Sequence, residues 1–195
     1  YSPFSTWTRG LAWALCGYPE QLEFLRSCTR QSAADFKPAG GVAEYSRVLT
    51  NAATATADFY LENSCADGVP MWDTGAPSLH RLPANYINKP SDPYNKFEPV
   101  DGSAAAIAAQ GLIRLGNYLN ASGDKKAAAK YRQAGLSVAR TLFSEPYLST
   151  DPKHQGLLLH SVYHRPNGWD YIAPGQSVPN GESSMWGDYH LRELA

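Results

Sequence analysis

An all-α fold, with a closely packed inner row of helices backed by a solvated outer row, is what this sequence predicts. Three observations carry the prediction. Five segments repeat apolar residues at i, i+3, i+4 and i+7 with few β-branched runs. The segments alternate between two kinds, one rich in alanine and glycine and one charged along a face, as in the inner and outer helices of helical toroids. Two long stretches rich in proline, glycine, asparagine and aspartate follow neither period.

Taken in order, the first helix is "RGLAWALCGYPEQLEFLRSC", residues 9–28, which opens on a polar and aromatic motif and continues through Ala12, Ala14 and Gly17. "VAEYSRVLTNAATATADFYLENS", residues 42–64, is the first amphipathic outer helix. Residues 64–100 then form a long loop, and its embedded Trp72, Tyr86, Tyr94 and Phe97 argue for an ordered, functional segment. "DGSAAAIAAQGLIRLGNYLNAS", residues 101–122, is the second small-residue helix, with Asp101 placed as its N-cap. "DKKAAAKYRQAGLSVARTLFSE", residues 124–145, follows with Asp124 in the same position. A second loop spans residues 154–182, where "GLLLHSVY" reads as a short strand or a buried turn, and "SSMWGDYHLRELA" closes the chain as a helix. The pattern is a weak repeat of helical hairpins within one domain, residues 1–195.

Composition narrows the function. With 195 residues, 43% hydrophobic and a net charge of -1, the chain offers no basic surface for nucleic acid or an anionic membrane. No run is apolar and long enough to span a bilayer, no signal peptide opens the chain, and the compartment stays open between cytoplasm and periplasm. Cys16, Cys28 and Cys65 lack CxxC spacing and read as buried thiols. No His or Cys pair has metal-ligand spacing, and neither a Ser-His-Asp order nor a phosphate-binding glycine loop stands out. Five Trp and twelve Tyr supply flat apolar faces of the kind that hold sugar rings.

Inner helices of one polarity bring "STWTRG", "EPVDGS" and "GESSMWGD" to one end of the array, and the site is expected there. Helix N-termini present unpaired N–H groups and favour an anionic ligand, and Arg9 adds a planar fork for a carboxylate. Trp7, Trp13 and Trp186 would then flank the sugar. The alternative is that Arg9 meets a local carboxylate and the tryptophans fill core. Among the acids, Asp101 is either N-cap or site carboxylate, and Asp73 either binds sugar hydroxyls or closes an Asx turn. Asp188 reads as structural, and His160 as a satisfied core histidine or a site residue.

The ordered set "S-x-W-x-R-G-x-A-W", "DGVPMWD", "D-G-S-A-A-A-I-A-A-Q-G-L", "QGLLLHSVY" and "WGDY" resembles the C-terminal half of the unsaturated glucuronyl hydrolases, glycoside hydrolase family 88. The resemblance implies an (α/α)6 toroid that acts, without cofactor, on oligosaccharides left by polysaccharide lyases. In that chemistry water adds across the C4–C5 vinyl ether of an unsaturated uronic acid. It also implies substrate contacts at Arg9 and Trp13, with Trp7 beside them. Trp72, Asp73, Asp101, His160 and Trp186, read from the residues themselves, complete the expected binding set. The related unsaturated rhamnogalacturonyl hydrolases share the toroid, and a non-catalytic carbohydrate-binding half-toroid is a further alternative. The chain departs from the family pattern at Leu11, Thr74 and Gly102. The family's aspartate pair is expected upstream of this segment, which leaves Asp101 as the best candidate within it. The partner expected beside the oligosaccharide is the missing N-terminal half or a second copy, covering apolar faces such as Leu22, Leu25, Leu112, Ile113 and Leu115.

Overall fold

A computed structural model of the chain describes residues 2–28 and 34–195. Five α-helices lie among them: α1 (Thr8–Ser27), α2 (Gly41–Glu62), α3 (Gly102–Ala121), α4 (Lys125–Leu142) and α5 (Met185–Leu194). Each predicted helix is present, with its ends within a few residues of those expected from periodicity.

Local chemistry fixes several of the starts. Asp101 Oδ1 accepts the N–H groups of Ser103 and Ala104, Asp124 accepts that of Ala127, and Ser184 accepts that of Gly187. Each side chain satisfies donors that the first helical turn leaves without partners.

Helix α3 is the centre of the array, packed against α1 on one side and α5 on the other and backed by α4. Every residue from Gly102 to Leu112 is buried in consequence, which is why this helix consists of Ala, Gly, Ser, Ile, Gln and Leu there. A Cβ at Gly111 would stand 2.6 Å from the carbonyl oxygen of Leu15, so glycine is what lets α1 and α3 approach. That carbonyl lies four residues before Pro19, which has no N–H to give it. The outer helices are buried along one stripe only. In α4 it runs through Ala128, Tyr131, Gly135, Val138 and Leu142, and in α2 through Leu49, Ala53, Ala57 and Tyr60.

Leu22, Leu25, Leu112 and Leu115, expected to need a covering partner, are buried within this array, and Ile113 is partly buried. The correction has a simple cause: α2 and α3 enclose the leucines of α1, and α4 lies over α3. The large apolar side chains left exposed are elsewhere, among them Phe24, Val48, Met185 and Tyr189. Cys16 and Cys65 are buried as expected, whereas Cys28, at the end of α1, is only partly so.

Among the described residues no strand forms. The "GLLLHSVY" segment is an irregular stretch, buried at Leu158 and from His160 to Val162, carrying one isolated bridge, Leu148 to Leu158, with Leu159 N–H donating to the Tyr147 carbonyl at 2.8 Å. Two further bridges, Trp7 to Asp73 and Met71 to Val100, tie the first long loop to the starts of α1 and α3.

Candidate functional site

The N-termini of α1, α3 and α5 meet at one end of the array, as expected from a shared polarity. Arg9, in the first turn of α1, is 3% exposed. Its guanidinium carbon lies 4.5 Å from the ring centre of Trp186, 5.0 Å from that of Trp7 and 5.7 Å from that of Trp13. Trp7 and Trp13 stand edge to face at 5.2 Å. Three indoles therefore surround one cation, and all three keep part of their surface in solvent, Trp13 most at 45% exposure.

The fork of Arg9 is occupied by backbone. One terminal nitrogen donates to the Val162 carbonyl at 2.8 Å and the other to the Tyr163 carbonyl at 2.7 Å. The Arg9 Nε lies 4.0 Å from Asp101 Oδ2. Burial pulls the arginine below its usual pKa, and Asp101, Asp170 and Tyr163 oppose that pull.

Asp101 is fully buried and divides its oxygens between two tasks. Oδ1 caps α3, accepts the Ser103 hydroxyl at 2.5 Å and faces the Val162 N–H at 3.4 Å. Oδ2 takes no hydrogen bond among the described residues and faces Arg9. Burial raises the carboxyl above its ordinary pKa, with Arg9 and the Ser103 hydroxyl the leading opposing influences. The Ser103 hydroxyl in turn accepts the indole N–H of Trp186 at 3.1 Å. A continuous chain thus runs from Trp186 through Ser103 and Asp101 to Arg9.

Gly102 owes its identity to the same region. Its N–H donates to the His160 carbonyl at 2.8 Å, and a Cβ there would come within 2.7 Å of the Leu159 carbonyl oxygen. The departure from the family pattern at this position is therefore one that lets the second loop lie against the start of α3.

The remaining sequence-predicted residues are buried around this centre. Trp72 donates its indole N–H to Glu98 Oε2 at 2.8 Å, and Glu98 Oε1 accepts the Ser78 N–H. Asp73 closes a turn by accepting the Gly75 N–H at 2.8 Å, while the Thr8 hydroxyl holds the Met71 carbonyl. His160 is buried at a left-handed backbone position (φ 60°), with Nδ1 against the Asn180 carbonyl, and burial lowers its pKa. A carbonyl can only accept, so Nδ1 is the ring nitrogen that donates here. Asp188 accepts the N–H groups of Leu157 and Leu158, the structural part expected of it.

Sequence reasoning missed Glu98, Ser103, Asp170 and Tyr163. Asp170 accepts the N–H groups of Tyr163 and His164, and the Tyr163 ring stacks on Trp186 at 5.5 Å. The one available signal was the repeated Trp-Asp pair, present at Trp72–Asp73 and again at Trp169–Asp170. Among the described residues no group of three or more His, Cys, Asp or Glu side chains is arranged to hold a metal ion.

No family model matches the chain. An unsaturated glucuronyl hydrolase of Formosa agariphila is 27% identical over 191 residues, covering 97% of this chain and 35% of the relative. That of Bacillus sp. (strain GL1) is 26% identical over 193 residues, covering 97% of this chain and 38% of the relative. The chain thus spans little more than a third of the length of these curated relatives. A crystal structure of unsaturated glucuronyl hydrolase from Streptococcus agalactiae superimposes with a TM-score of 0.67 at 23% identity, over 99% of this chain and 37% of the other. The Bacillus sp. GL1 enzyme, described as responsible for the degradation of glycosaminoglycan, superimposes with a TM-score of 0.65 at 23% identity, over 96% and 38%. These likenesses show the fold, an all-helical portion of an (α/α)6 toroid. The resemblance first read from five ordered motifs therefore holds along the chain, which is similar over 97% of its length to part of the unsaturated glucuronyl hydrolases.

Proposed function

We propose that the protein containing this chain is a glycoside hydrolase acting on oligosaccharides that end in an unsaturated uronic acid. The observation that carries the reading is a buried arginine enclosed by three partly exposed indoles where three helix N-termini meet. Cation, helix dipoles and flat apolar faces together suit a ring that bears a carboxylate. A guanidinium has five N–H donors. Two of them hold carbonyls and the Nε–H faces Asp101 Oδ2, which leaves one on each terminal nitrogen for the uronate.

The reaction adds water across the C4–C5 double bond. A proton goes to C4 and hydroxyl to C5; the resulting hemiketal opens to a C5 ketone, and the hemiacetal this leaves at C1 collapses to an aldehyde, releasing the rest of the oligosaccharide as an alcohol and the uronate as a keto acid. Such a step needs an acid and a base in fixed geometry. Within this chain Asp101 is the candidate, because its Oδ2 is buried, unbonded among the described residues and raised in pKa. The larger part of this segment is binding surface: Trp7, Arg9, Trp13 and Trp186 at the sugar, with Trp72, Asp73 and His160 supporting the walls. Two relatives bear on the substrate class, having been crystallised with dGlcA-GalNAc6S and dGlcA-Glc-Rha-Glc.

The test is loss of the ultraviolet absorbance of the unsaturated uronate when the whole protein meets such a disaccharide. Turnover is expected. Its absence on both glycosaminoglycan-derived and rhamnose-containing substrates, with binding retained, would favour a carbohydrate-binding protein, a reading that the capping role of Asp101 Oδ1 also fits.

A further inference from the structure

The loop after Val162 carries exposed rings that extend beyond the indoles around Arg9. Tyr163, Trp169 and Tyr171 are 51%, 59% and 61% exposed. Two of them join a row of rings. Tyr163 stacks on Trp186 at 5.5 Å and 29° and faces Trp169 at 5.7 Å and 33°, and His164 closes on Trp169 at 4.9 Å. The result is a stepped row of rings leading outward from the indoles around Arg9.

The backbone beneath this row is tied down at several points. Arg9 holds the carbonyls of Val162 and Tyr163, and Asp170 accepts the N–H groups of Tyr163 and His164. His164 Nδ1 accepts the Asn167 N–H at 3.2 Å, and the Ser161 N–H donates to the Glu182 carbonyl at 2.9 Å. Large aromatic side chains on a fixed loop, left in water, mark a binding surface, because the ordering cost has been met before the ligand arrives. The polar neighbours select the ligand class. Asp170 is buried and committed to backbone N–H groups, and Arg165 is the one other ionic side chain between Val162 and Ile172.

We propose that Trp169, with Tyr163 beside it, forms a platform for a neutral pyranose ring of the oligosaccharide, beyond the sugars that meet Arg9. The proposal rests on the hydrolase reading for its orientation: the uronate lies at Arg9 and the neutral sugars extend over the loop. Its energetic basis is apolar C–H surface of the sugar laid on an open aromatic face.

The experiment uses the whole protein and two sugars with the same uronate end, a disaccharide and a tetrasaccharide whose distal rings are neutral. Hydrogenating the double bond of each keeps either from being consumed, and tryptophan fluorescence reports binding. The tetrasaccharide is expected to bind about tenfold more tightly than the disaccharide. Trp169→Ala should reduce that ratio to about twofold, while Trp169→Phe, which keeps a ring, should preserve most of it. Equal affinity for the two sugars, or a ratio that survives Trp169→Ala, overturns the platform. A protein that shows the ratio but does not turn over the unsaturated sugars would fail as a hydrolase and keep the platform.

Discussion

Arg9 reaches 153 and 154 residues along the chain to hold Val162 and Tyr163, so its planar fork shapes the site as well as charging it. Lysine offers a compact ammonium and cannot span two carbonyls in that geometry. Arg9→Lys is expected to raise KM for an unsaturated disaccharide and to cost about 3 kcal/mol of stability, read from chemical denaturation, because a buried pair loses its fit. An unchanged KM would show that the arginine is purely structural. Asp101 gives a second test. Its folded-state pKa is raised, so between the ordinary aspartate range and that raised value the native state holds a proton that the unfolded state has released. Stability from this group is therefore greatest below the ordinary pKa and falls as pH rises through the window. Asp101→Asn should remove that part of the slope, which the difference between variant and parent in urea midpoints across acid to neutral pH would measure. How these residues meet was only partly legible in the sequence. The crowding of Arg9 among Trp7 and Trp13 is a local signal, and so is a cap before a run of alanines. The seating of Trp186 on Ser103, or of Trp72 on Glu98, depends on residues 83 and 26 positions apart, and no local period encodes that.

Among the elements, α3 shows why small residues were the informative ones. Its alanines and glycines stated in advance that neighbours come close, and the contact of Gly111 with α1 is the sharpest case. Gly111→Ala is expected to cost about 1–3 kcal/mol, because the new Cβ meets backbone that cannot rotate away. Gly17→Ala is the matched control within α1. Nothing lies within 4 Å of its added Cβ, and the change should stabilise by roughly 0.5–1 kcal/mol through helix propensity. Paired thermal melts would separate the two, and equal shifts would contradict the packing described. The helices were legible because each repeats its signal over several turns. The apolar edges were not, since a helical stripe shows that a face is covered without showing which neighbour covers it.

For the molecule as a whole, the long loops and the helices form one connected core, with the second loop seated on α3 through Gly102 and on α1 through Arg9. We expect the 195 residues purified alone to leave an unsaturated disaccharide untouched in the absorbance assay, and the whole protein to consume it, since one candidate carboxylate does not make an acid and a base. Turnover by the segment alone would move Asp101 from support to chemistry. The overall arrangement followed from alternation of helix types, whereas the paths of the two loops came from side-chain anchors that composition does not reveal. The three thiols lend the same architecture a use at the bench. Cys16, on the face of α1 that meets Gln110, and Cys65, just past α2, are both buried, and burial pushes their pKa values up to about 12, so the thiolate that reacts with alkylating reagents is scarce at each. Cys28 sits partly in solvent at the end of α1. A maleimide pulse should therefore mark Cys28 in the native protein at once and reach the other two only as their surroundings open, so that the order of labelling becomes a clock for how the helical centre and the loop come apart.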